Sequence, residues 1–149
     1  MPSCTTCNSF LKRDIRFSIA RNINPYLESL HDNFKINIKK ASKQLKGFDI
    51  KESDVEFICK TKKTQKHIDI FALKELYLAH IDYIREIVMK INDYGDEEYL
   101  ESLKKYGVSD PWQFFLGNFI HQQNINDRPL AKLTTDLYEQ LGIPNINSE

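Results

Sequence analysis

Little in this sequence turns a chain sharply. Glycine and proline number five each in 149 residues. Sandwiches and barrels need a tight turn between each pair of short strands, so the scarcity argues against an all-β fold. Uninterrupted apolar runs are only a few residues long, far from the ~20 that cross a bilayer as a helix. The opening stretch MPSCTTCNSFLKR holds no apolar segment of the secretory kind, which predicts an intracellular, cytoplasmic chain with no membrane partner. Cysteine is scarce and odd in number, with Cys4, Cys7 and Cys59. That count fits a reducing compartment. No Gly-x-Ser-x-Gly elbow, P-loop or Gly-x-Gly-x-x-Gly turn is present, and no catalytic residue can be nominated. The expectation is a protein that is not an enzyme.

What remains is an ordinary globular composition. Hydrophobic residues make up 41% and charged residues 28%. The length suits one domain, residues 1–149, able to bury roughly 68–70% of its unfolded surface. Ile, Asn and Lys number 17, 11 and 16 against 5 Arg, the bias that an AT-rich bacterial or viral genome imposes. The formal net charge is zero, but its distribution is lopsided. Residues 1–66 carry 14 Lys and Arg against 7 Asp and Glu, and residues 67–149 carry the reverse. Such a split suits an acidic partner for one face, or association between copies.

Periodicity predicts an all-α bundle of six or seven helices with short loops. Leu11, Ile15 and Ile19 predict a helix over 8–23, with residues 1–8 a flexible tail or a thiol or metal knuckle. Asn24 and Pro25 open a second helix, with Leu27, Leu30, Phe34, Ile38, Ala41 and Leu45 as its stripe and Gly47 as its stop. Ser53 and Glu56 form a candidate capping box, and Lys60 to His67 reads as an exposed loop. Ile70, Leu73, Tyr77, His80, Ile84, Ile87, Ile91 and Tyr94 alternate spacings of three and four, a heptad seam along one helix over 69–94. Asp96 caps a helix ending before Gly107. Asp110-Pro111 opens another whose body WQFFLGNFI is apolar nearly all round, and Pro129 to Leu141 forms the last.

Four constellations bear on function. Cys4-Thr-Thr-Cys7 followed by Asn-Ser resembles a zinc knuckle, and Cys59 and His67 are the completing ligands that resemblance implies. The run PSCTTC also resembles the active-site turn of thioredoxin-like proteins, which implies a low-pKa thiol; that fold places a strand before the motif. Glu28-x-x-His31 matches half of a di-iron bundle motif, whose second half is absent. Lys35, Lys39, Lys40 and Lys43 on one helix, with Lys60, Lys62, Lys63 and Lys66 after it, would contact nucleic-acid phosphates if they converge. Leu103 to Ser109 resembles the corner of a helix-turn-helix reader, but the following helix carries no Lys or Arg.

The leading expectation is a protein–protein interaction or regulatory module, binding a protein partner or a second copy through apolar helix faces. Its candidate contact residues are Trp112, Phe115, Phe119, Tyr77 and His80, the face of the Trp112–Ile120 helix reading equally well as core. The alternative is a small nucleic-acid-associated regulator using the lysines. No cofactor is expected, zinc on Cys4, Cys7, Cys59 and His67 being the one alternative.

Overall fold

The computed structural model describes residues 14, 16, 18, 21–24, 27–39, 46–117 and 130–141. Among them are seven helices and a two-stranded antiparallel sheet, so the all-α expectation is corrected to a mixed α/β fold. In order these are α1 (Leu30–Asn33), β1 (Phe34–Ile38), β2 (Val55–Cys59), α2 (Lys62–Ile70), α3 (Leu73–Leu78), α4 (Ile81–Tyr94), α5 (Glu97–Lys105), α6 (Pro111–Leu116) and α7 (Ala131–Gln140). The predicted tail at 1–8 and most of the helix at 8–23 lie outside the described residues.

The helix expected over 24–46 is replaced by one helical turn and a strand. Phe34 and Ile38 fit a helical stripe, but with Ile36 between them they also alternate, and β1 buries all three while Lys35 and Asn37 stay half-exposed. Branched isoleucines favour that choice. Ser29 caps α1, its Oγ accepting from Asp32 N–H. Lys60 N–H donates to the Asn33 carbonyl and Lys39 N–H to the Asp54 carbonyl. These two bonds bracket the ladder and set Phe34 across from Cys59 and Ile38 across from Val55. The candidate capping box at Ser53 is a 3-10 turn, Glu52–Asp54, that leads directly into β2.

The chain divides into two compact units, Met1–Lys35 with Phe57–Ala79, and Ile36–Glu56 with His80–Glu149. In the first, Phe34 stacks on Phe57 at 5.8 Å and meets Tyr77 at 6.1 Å. Ile23, Ile68 and Thr64 are buried there too. The expected Lys60–His67 loop is a correction: it forms most of α2, because Thr61 caps it by accepting from Thr64 N–H at 3.1 Å. The heptad helix over 69–94 is a second correction. Ala72 takes a left-handed conformation at φ 48°, and the chain breaks again at Ala79 and His80, giving three helices. Around these breaks Tyr77 packs on Phe34 and Phe71 on the His67 ring.

The second unit is built on α4, which buries Ile84, Ile87, Val88 and Ile91. Gly47 presses against it: a side chain there would strike Met89 Cγ and the Arg85 carbonyl. Arg85 Nε also donates to the Ile50 carbonyl at 2.8 Å. The last helix, α7, is buried from Ala131 through Tyr138, polar residues included. Its Asp136 and Gln140 side chains reach the free edge of β1, accepting from Ile36 and Ile38 N–H at 2.9 and 2.7 Å. Two strand residues rise ~6.7 Å and four helix residues ~6 Å, so the i,i+4 pair matches the i,i+2 pair.

Candidate interaction surface

The most distinctive surface of the second unit is a cluster of aromatic rings at the α4–α5 corner and on α6. It begins with local signals that the sequence carries strongly. Asp96 caps α5, its carboxylate accepting from Glu98 and Tyr99 N–H at 2.8 and 3.3 Å. Asp110 caps α6 by accepting from Gln113 N–H at 2.9 Å, with Pro111 as first residue. Gly117 ends α6 at φ 64°. A turn this short has two faces. Trp112 and Leu116, four apart, go inward, and Phe114 lies opposite them.

Trp112 is fully buried and meets Tyr138 edge-on at 5.5 Å. Gly95 closes the corner against it, since a Cβ at Gly95 would lie 3.3 Å from Trp112 Cη2. Trp112 is therefore a core residue that supports the corner, not a contact residue. Phe115 is half-buried, with Tyr94 and Tyr99 as neighbours. The three centroids form a triangle of 5.0, 5.8 and 6.1 Å, with ring planes within 30° of parallel. Phe114 packs edge-on to Phe115 at 5.7 Å. Yet Phe114 is 65%, Tyr99 45% and Tyr94 41% exposed. Every residue from Asn92 to Tyr99 is exposed. Asn92–Glu101 carries five carboxylates, Asp93, Asp96, Glu97, Glu98 and Glu101, and no Lys or Arg.

Tyr94, Tyr99 and Phe114 were not nominated from the sequence. Tyr94 sits in the heptad spacing and Tyr99 in an amphipathic helix, which assigns both to packing. The available signal was the two-faced geometry of a helix as short as α6, with tryptophan on one face and phenylalanine on the other. Tyr77 is half-buried against Phe34 in the first unit, His80 is exposed at the start of α4, and Phe119 lies outside the described residues.

Of the nominated lysines, Lys35, Lys60, Lys62, Lys63 and Lys66 belong to the first unit and Lys39 to the second. Lys35 is half-buried on β1, with Nζ 3.2 Å from His31 Nε2. Lys39 is exposed, and Lys40 and Lys43 lie outside the described residues. Lys63 donates to Glu28 at 2.5 Å, which holds that carboxyl below its ordinary pKa. Lys60, Lys62 and Lys66 are exposed at and along the start of α2. Of the proposed metal ligands, Cys4 and Cys7 lie outside the described residues. Cys59 is a free, half-buried thiol whose pKa is raised by burial and by Asp69. His67 is buried beside Phe71, and burial lowers its pKa. Cys59 and His67 join no group of three metal-ligating side chains among the described residues.

Among the described residues, no helix is long and apolar enough to cross a membrane. No family model matches the chain, and no curated protein or solved structure shows significant similarity to it.

Proposed function

We propose that the chain is a non-enzymatic protein-interaction module, and that its contact surface is the Tyr94–Tyr99–Phe114–Phe115 cluster. The observation that carries this reading is one helix with opposite faces: Trp112 buried, Phe114 exposed and in ring contact with Phe115. Isolated exposed rings are common, but a contiguous cluster of four is a surface a folded chain normally covers. Rigid aromatics with only two torsions lose little entropy on binding and recur as interface anchors. The free thiol of Cys59 suits the reducing, intracellular setting such a module would occupy.

A peptide-display library panned on the full chain tests this reading, with recovered peptides re-measured on a Tyr99→Ser/Phe114→Ser variant. Both positions are exposed, so the variant should stay folded, giving up about 1–3 kcal/mol with its ring contacts, while losing the peptides. Peptides that bind parent and variant equally would remove the cluster from the account.

A second reading has one observation in its favour. Lys62 and Lys66 stand one turn apart on α2, both exposed, with no ion-pair partner among the described residues. That geometry suits nonspecific phosphate contact, which would weaken steeply between about 50 and 200 mM salt. Labelled oligonucleotides against a Lys62→Glu/Lys66→Glu variant measure it directly, and unchanged affinity would end it.

A further inference from the structure

Resting on the interaction reading, we infer that the aromatic cluster docks a cationic polypeptide segment, one that sets Arg or Lys side chains against the rings and carboxylates together. Two independent features of the corner converge on that chemistry. The first is the ring arrangement. Tyr94 and Tyr99 each stack on Phe115 and tilt 30° to one another, and Tyr94, Tyr99 and Phe114 stay open to solvent. The faces of such rings carry the negative part of the aromatic quadrupole, which attracts guanidinium and ammonium groups within about 6 Å. The same attraction already operates in this protein, where Lys74 Nζ lies 6.0 Å from the Phe57 ring centre.

The second feature is the charge around the rings. Tyr94 and Tyr99 stand within a ten-residue stretch holding five carboxylates and no basic side chain. Asp93, Asp96, Glu97, Glu98 and Glu101 are all exposed; Asp96 caps α5 and Glu97 and Glu98 lie in its first turn, whereas Asp93 and Glu101 serve neither end of it. An anionic segment would meet like charge along this stretch. A purely apolar segment would leave the carboxylates facing nothing complementary. Arginine answers both features, because its planar fork stacks on a ring and pairs with a carboxylate at once. Charge complementarity of this kind also steers encounter, so binding should be salt-sensitive.

Labelled peptides of repeating Arg-Leu-Ser-Arg, and counterparts with Gln or Glu for every Arg, are titrated with the full chain by fluorescence anisotropy. Three further proteins are measured alongside: Phe114→Ala, Tyr99→Ala, and Glu97→Gln/Glu98→Gln/Glu101→Gln. The Arg peptide should bind about tenfold or more tightly than the Gln peptide, and the Glu peptide weakest. Phe114→Ala and Tyr99→Ala should each weaken it about fivefold to tenfold, and the triple Gln variant should flatten its salt dependence. Gln and Arg peptides binding equally, both lost on Phe114→Ala, would overturn the cationic partner and leave the interaction surface standing. Arg-peptide binding indifferent to both aromatic variants would overturn the inference and the surface with it. Failure of every peptide to bind at low salt does the same. Sedimentation velocity showing self-association lost in Phe114→Ala would give the surface to a second copy and overturn the separate cationic partner.

Discussion

Gln140 hydrogen-bonds both polar groups of Ile38 with one amide. Its Oε1 accepts from Ile38 N–H at 2.7 Å and its Nε2 donates to the Ile38 carbonyl at 2.6 Å. A side chain on α7 thus does what a third strand would do. One turn earlier, Asp136 accepts from Ile36 N–H at 2.9 Å and from the buried Lys132 ammonium at 2.8 Å. A two-stranded sheet is marginal alone, and its open edge invites pairing with another chain. Here the described edge of β1 is closed by a helix.

Gln140→Ala should therefore destabilise the protein by about 2–3 kcal/mol, because it strands a donor and an acceptor on a buried residue. Gln140→Glu keeps the acceptor but not the donor and should fall between the two. Urea unfolding followed by circular dichroism gives the order. A Gln140→Ala midpoint equal to the parent would show that water replaces the amide without loss.

Much of the second unit was legible in the sequence, and the reason is local. Asp96 and Asp110 with Pro111 are caps whose partners lie two or three residues away, so α5 and α6 begin where the caps place them. The α7 helix appears one or two residues inside its expected bounds, with Leu133 and Leu137 buried as the leucine spacing implies. The strands were not legible, because Phe34 and Ile38 satisfy both periods and the deciding partners are distant: β2 starts at Val55 and Gln140 lies 102 residues beyond Ile38. The heptad over 69–94 failed likewise, since nothing local marks Ala72 as a left-handed residue. Of the aromatic cluster, the sequence picked out Phe115; it left Trp112 open between core and contact, and the structure buries it. Apolarity alone does not say which face of a six-residue helix turns inward.

Tyr138 should give the protein an alkaline limit. It is buried, and burial together with Asp110 pushes its pKa up to about 12. In the unfolded chain it ionises near its ordinary value of about 10. Unfolding therefore releases a proton more readily as pH rises, and stability present below pH about 10 is lost progressively toward about 12, by about 2 kcal/mol. Trp112 is the one tryptophan and touches the Tyr138 ring, so its fluorescence reports the change directly. Tyr138→Phe should remove this step, and a step that persists in that variant belongs to another group.

His67 should set an acidic limit. Burial lowers its pKa, so the folded chain holds the ring neutral at pH values where the unfolded chain protonates it. Its contribution is complete above about pH 6.5 and disappears as pH falls through the lower, folded value. Urea midpoints at a series of pH values check the sign. His67→Leu should flatten the profile below about pH 6.5, and a slope that persists in that variant belongs to another group.

Ala72 holds the turn between α2 and α3 at φ 48° and ψ 41°, a conformation in which a Cβ crowds the following carbonyl. For a residue other than glycine that costs about 1–2 kcal/mol. Glycine removes the crowding but adds about 0.5–1 kcal/mol of chain entropy to the unfolded state. The first term is larger, so Ala72→Gly should stabilise the protein by about 0.5–1 kcal/mol. Ala79, at the next break, provides the contrast, because its φ of −59° and ψ of −17° are ordinary right-handed values. There the entropy term acts unopposed, and Ala79→Gly should destabilise by about 0.5–1 kcal/mol. Opposite signs from one substitution at two junctions would locate the strain at Ala72. Equal losses at both would show that the α2–α3 turn holds no strain for glycine to relieve.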